Sequence, residues 1–243
     1  MSERPVGQVE RSISSLAELH LPDETLDSVL LHIGRLGVDA LEGWDAVAAS
    51  IVEGNKVATY GTTDERINQV DQAQYDTGRG PCVDAMKSGE SRYFDGTAVA
   101  PEWRLFAESA ADVEVYSVVS FPMKIDDTNL GALNFYSRER DALRPGQTED
   151  GWVFASQAAV ALSNVRTMAS KAAEVEQLEE GLKTRTLIGQ ATGLLMAQEG
   201  LTSEESFQKL VTVSQNANMK LRDIAARYVE TWEGRVKKSP QDP

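Results

Sequence analysis

A chain of 243 residues, 41% of them hydrophobic, is long enough for one large or two small domains with a substantial core. No run approaches the roughly 20 apolar residues of a membrane span. The opening M-S-E-R-P-V-G lacks the pattern of a signal peptide, and the lone Cys82 excludes an internal disulfide framework, so a reduced, cytoplasmic setting is expected.

The net charge of −14 argues against coating nucleic acid by charge alone. Its distribution matters more. Residues 1–172 hold 15 Lys and Arg against 27 Asp and Glu, whereas residues 206–239 hold seven against three. The last two expected helices are therefore the one locally basic stretch.

In chain order, Val9, Ile13, Leu16 and Leu19 share one face of a short helix, and a second helix is expected over 23–41 with Pro22 at its start. W-D-A-V-A-A-S-I-V (44–52) alternates, setting Trp44, Ala46, Ala48 and Ser50 against Val47, Ala49 and Ile51. With the turn at Glu53–Lys56 and the run to Tyr60 it reads as a hairpin. A polar helix follows near 64–74. Pro81 can open a helix after the glycine-rich T-G-R-G, and Gly89 can close it. A short strand at 91–94 and a helix over 101–111 come next. The clearest strand pair is 115–125 with 129–137, joined by Asp126-Asp127-Thr128. Pro122 inside its first run implies an edge position or a bulge.

From Gln147 a long helix is expected, since no proline lies between Pro145 and Pro240. Steps of seven give Phe154, Ala161, Met168, Val175 and Leu182, with Ala158, Val165 and Ala172 between them. The early half can pack on the sheet. The later half suits a coiled coil, and Val165, Met168, Ala172, Val175 and Leu182 form its expected homodimer seam. Gly200 suits a C-cap, Thr202 and Glu205 have capping-box spacing, and Asn218 is expected to N-cap a last helix whose buried face is Leu221, Ile224, Ala225, Tyr228 and Val229.

No catalytic or metal constellation emerges. Cys82 lacks a neighbouring base in sequence, because the histidines are His20 and His32, and one Cys with two His cannot build a usual zinc site. The adjacent carboxylates Asp126-Asp127, Glu149-Asp150 and Glu179-Glu180 read as turn and surface charges. No cofactor and no enzyme activity are expected.

The pattern L-x-x-R-x-x-I-x-Q-A-x-G-x-L-M, then S-x-E-E-S-F-x-x-L and N-x-K-L-R-D-I-A, resembles the ANTAR domain, a family of RNA-binding transcription antitermination regulators, over about 173–235. The loop G-R-G-P-C-V-D-A and the strand G-A-L-N-F-Y-S are similar to those of GAF sensor domains, over about 20–170. The expected class is thus α+β: an N-terminal GAF-like antiparallel sheet with flanking helices, a long connecting helix and a C-terminal three-helix ANTAR domain. The resemblance implies a homodimer that holds paired stem-loops of a nascent transcript and prevents a terminator from forming. It also brings in a small-molecule ligand for the GAF domain, but no membrane. Charge and resemblance together single out Lys183, Arg185, Gln190, Thr192, Ser214, Asn218, Lys220 and Arg222 for RNA. Thr192 stands where many members have lysine. The alternative is a small-molecule sensor whose C-terminal helices serve only dimerisation or protein contact, and a helix-turn-helix reading of the last two helices stays open beside it.

Overall fold

The computed structural model describes residues 7–17, 25–54, 56–97 and 99–236. Leu19, His20, Pro22, the start of the second helix, Asn55, Lys237, Lys238 and Pro240 lie outside them. The described chain divides into two compact units, the second beginning at Ala169.

In the first unit the elements run α1 (Gln8–Ala17), α2 (Leu26–Ala40), β1 (Ala46–Glu53), β2 (Lys56–Tyr60), α3 (Ile67–Thr77), α4 (Pro81–Ser88), β3 (Arg92–Phe94), a 3-10 turn at Pro101–Trp103, α5 (Arg104–Asp112), β4 (Ser117–Ile125) and β5 (Thr128–Ser137). The strands form one antiparallel sheet in the order β2-β1-β5-β4-β3. Alternation decides which face each side chain serves. Val47, Ala49, Ile51, Val119, Phe121, Leu133 and Phe135 point to one side and pack with Val29, Leu30 and Ile33 of α2. Phe135 meets Trp44 and Phe121 edge to face, with centroids 6.2 and 5.8 Å apart. Ala46, Val118 and Tyr136 point to the other side, beneath α3 and α5.

Pro122 sits where its missing N–H costs little. β3 pairs only with Val118–Ser120, so β4 runs past it at Pro122, and the register slips between Met123 and Lys124.

A single helix, α6 (Gln147–Glu199), runs for 53 residues. Its first turns carry Phe154, Ala155, Ala158, Ala159 and Leu162 into the core of the first unit. Val165 joins them at 7% exposure, which corrects its place in the dimer seam: it is spent on the chain's own core. Among the described residues no helix is long and apolar enough to cross a membrane.

Candidate nucleic-acid interface and the buried polar layer

The second unit is three helices: the end of α6, then α7 (Ser203–Ala217) and α8 (Leu221–Val236). Gly200 closes α6. Thr202 then starts α7 with a complete capping box, its hydroxyl accepting from the Glu205 N–H while the Glu205 carboxylate accepts from the Thr202 N–H. The α7–α8 turn corrects the expectation for Asn218. It ends α7 at φ +50 instead of capping α8. Asparagine tolerates the left-handed region, so the residue type that favours an N-cap also suits this C-cap. Lys220, whose carbonyl accepts from the Asp223 and Ile224 N–H groups, opens α8. Ala191, Leu195, Leu210 and Ala225 form the core, with Leu187, Ile188, Leu221, Ile224, Tyr228 and Val229 around it.

At roughly 100° per residue, Leu187, Ile188, Ala191 and Leu195 mark the face of α6 that holds α7 and α8. Met168, Ala172, Val175 and Leu182 lie about half a turn away, the first, third and fourth being 63, 55 and 64% exposed. The same step of seven continues to Gly189 and Met196, where a Cβ built on Gly189 or Gly193 meets nothing within 4 Å. Beside them Arg185, Ile188, Gly189, Thr192, Gly193 and Met196 of α6 line a groove of about 520 Å³ with Ser203, Glu204 and Phe207 of α7.

The eight residues singled out for RNA divide. Lys183 and Gln190 are exposed two turns apart on α6, on the edge nearer α8, whose own start presents the exposed Lys220. Arg222 adjoins them but is ion-paired with Glu180 and lies 3.6 Å from Asp223. Arg185 is exposed on the opposite edge, beside α7. Thr192 is 8% exposed and spends its hydroxyl on the Ile188 carbonyl at 2.7 Å. Ser214 donates to the Met219 carbonyl at 2.5 Å, and Asn218 caps the turn. Lys209, on α7, is ion-paired with Glu199. The pairings of Lys209 and Arg222 with α6 join residues 10 and 42 apart and left no signal in the sequence.

The first unit holds a second feature that sequence reasoning missed. Between the sheet and α3–α4 lies a polar layer in which Ser50, Asp71, Gln74, Cys82, Asn134 and Tyr136 are fully buried and Thr59 and Tyr75 half-buried. Asp71 accepts from Tyr136 (2.5 Å), Thr59 (2.9 Å) and Gln74 (3.1 Å). The Ser50 hydroxyl lies 2.7 Å from the Tyr75 oxygen, 2.8 Å from Asn134 Nδ2 and 2.9 Å from Cys82 Sγ. Gln74 Oε1 accepts the Cys82 N–H at 2.8 Å, and a Cβ at Gly80, whose φ is +142, would stand 2.4 Å from that same oxygen. Only glycine therefore admits this approach of the start of α4 to α3. Burial outweighs three hydrogen bonds and pushes the Asp71 carboxyl up to about 6. Burial, with Asp71 nearby, also pushes the Cys82 thiol up, away from the reactive thiolate. His32 lies exposed on α2. The signal that could have found the layer is the spacing of Asp71, Gln74 and Tyr75 relative to Ile67 and Val70: polar residues sharing a face with apolar ones. Among the described residues no group of carboxylates, histidines and cysteine could hold a metal ion.

A sequence model of the ANTAR domain matches residues 176–229, and one of the GAF domain matches residues 23–163. No curated protein matches the chain. Among solved structures, the free methionine-R-sulfoxide reductase of Neisseria meningitidis, in complex with its substrate, is similar at 16% identity and a TM-score of 0.51, over 66% of this chain and 89% of that one. The GAF domain of a phosphoenolpyruvate-protein phosphotransferase from Coxiella burnetii is similar at 13% identity and a TM-score of 0.50, over 67% and 97%. Both likenesses concern the fold.

Proposed function

Because the chain belongs to the GAF domain family and carries an ANTAR domain behind that module, we propose that it is an RNA-binding transcription antitermination regulator. In this reading a homodimer holds paired stem-loops in a nascent transcript and keeps an overlapping terminator from forming. The carrying observation is the placing of Lys183, Gln190 and Lys220, all exposed, with Arg222 beside them, on one side of a three-helix unit. Lysine and arginine there neutralise phosphate, and glutamine reaches the edge of an unstacked base. Arg185, on the other edge, stands apart from this surface.

Pairing of two chains is supported by the exposed Met168, Ala172, Val175 and Leu182, which lie away from the face used by α7 and α8. A dimer built there presents two like RNA surfaces, and linkage raises the effective concentration of the second stem-loop once the first is held. The GAF domain acts as the sensor for a small molecule. The reading includes no catalysis, since the Cys82 thiol is buried and held protonated.

The test is a gel-shift titration of the full chain with paired and single stem-loops across salt. Lys220→Ala combined with Arg222→Ala should weaken binding and lower the salt slope by about 0.9 for each phosphate left without its cation. Unchanged affinity at fixed salt refutes the placement. The groove beside Phe207 favours the second reading, in which these helices contact protein. Loss of stem-loop binding altogether, with a ligand-induced thermal shift retained, would select it.

A further inference from the structure

Arg222 is the one member of the RNA surface that is already engaged. Its Nη1 donates to the Glu180 carboxylate on α6, 42 residues away in sequence, and its Nε stands 3.6 Å from Asp223. A guanidinium grips phosphate best with two neighbouring donors, either Nε with Nη2 or Nη1 with Nη2. Glu180 engages Nη1, a nitrogen of the second edge, and Asp223 places its charge 3.6 Å from Nε, a nitrogen of the first. A phosphate gripped at either edge therefore has a carboxylate against it until that carboxylate withdraws.

We propose that Glu180 is a built-in competitor for RNA phosphate at Arg222, a latch that sets the affinity of the surface and its discrimination against weak polyanions. This rests on the RNA-binding reading. Glu180 has this role rather than Asp223 because it approaches from another helix, and the core of Leu187, Ala191, Leu221 and Ala225 fixes α6 against α8. Lys183 lies one turn from Glu180, and Lys220 precedes Arg222 by two residues. Neither carries an ion pair among the described residues. A phosphate run that displaces Glu180 therefore gains cations that Glu180 itself leaves unused, whereas a single small anion gains little. Both latch side chains are partly exposed, 41 and 63%, so the pair is weak enough to open.

The experiment is a cycle on the full chain: wild type, Glu180→Gln, Arg222→Ala and the double variant. Each is titrated with a paired stem-loop RNA and, separately, with inorganic tripolyphosphate. Glu180→Gln should bind RNA about two- to fivefold more tightly at low salt, the range of an exposed ion pair, and should gain nothing on the Arg222→Ala background. An equal gain on both backgrounds means that a general charge effect operates, and overturns the latch. Unchanged or weaker binding by Glu180→Gln overturns it too, because Glu180 would then orient Arg222 for RNA. If wild type binds no stem-loop, the functional reading fails. The latch then survives only if Glu180→Gln gains affinity for tripolyphosphate through Arg222, and a flat tripolyphosphate cycle overturns it as well.

Discussion

Replacing Asp71 by asparagine should flatten one limb of the stability of the first unit against pH. The carboxyl is fully buried, and its pKa rises from 3.8 to about 6 because loss of water outweighs the donors Tyr136, Thr59 and Gln74. Below pH 3.8 the group is protonated in both folded and unfolded chain. Between there and about 6 the unfolded chain releases the proton while the folded one keeps it, so stability falls as pH rises. The displacement corresponds to about 3 kcal/mol, lost in full above the folded value. Asparagine keeps an acceptor for Tyr136 and turns an amide N–H toward Thr59, so it retains the shape without the titration. Urea unfolding at half-unit steps from pH 4 to 7.5, followed through Trp44, Trp103 and Trp152 in the first unit, gives the comparison. The variant should gain on wild type by about 2.4 kcal/mol between the ends of this range, because at pH 4 the unfolded carboxyl has already released part of its proton. Parallel curves would refute the reasoning. So would wild type gaining on the variant, since that means the hydrogen bonds win and the carboxyl is acidified.

Thr202→Ala removes the hydroxyl of the α7 capping box and should cost the second unit about 1 kcal/mol, read from its thermal melt. Gly131→Ala should cost about 3 kcal/mol or more in urea unfolding, because its Cβ would stand 1.9 Å from the Ser50 carbonyl oxygen at φ +149. Val175→Asp with Leu182→Asp should yield a monomer in sedimentation with the helix content kept, because both side chains are exposed in the single chain. A dimer that persists places the seam elsewhere.

The sheet was legible because alternation has one physical cause. Ala46, Ala48 and Ser50 do face away from Val47, Ala49 and Ile51, whereas Trp44, which precedes the strand, packs with Phe135 on the Val47 side instead; Asp126-Asp127 does turn the β4–β5 hairpin. The heptad on α6 was legible as a stripe but not as a partner. A period of seven says that something apolar covers Val165, without saying whether that is the chain's own Leu162-lined core or another copy. Asn218 shows the same ambiguity at a helix end. The polar layer was the least legible part. Asp71, Gln74 and Tyr75 share a helix face with Ile67 and Val70, but their partners Tyr136, Thr59 and Ser50 arrive from strands that the sequence of α3 does not name. Likewise, the count of basic residues after 206 could not reveal that Lys209 and Arg222 are each paired with a glutamate of α6.

The hydroxyls of that layer each own a single proton, and this gives their arrangement a direction. While Asp71 is ionised, Thr59 must give its proton to the carboxylate. Tyr75 spends its own on Ser50, which also takes protons from Asn134 and from the Cys82 thiol. The protons of the layer therefore run to two sinks, the Asp71 carboxylate and the Ser50 oxygen. Neutralising Asp71 frees the Thr59 and Tyr136 hydroxyls to turn, so an acid–base event at α3 reaches β2 and β5 through one hydrogen bond each and leaves the donors of Ser50 as they were.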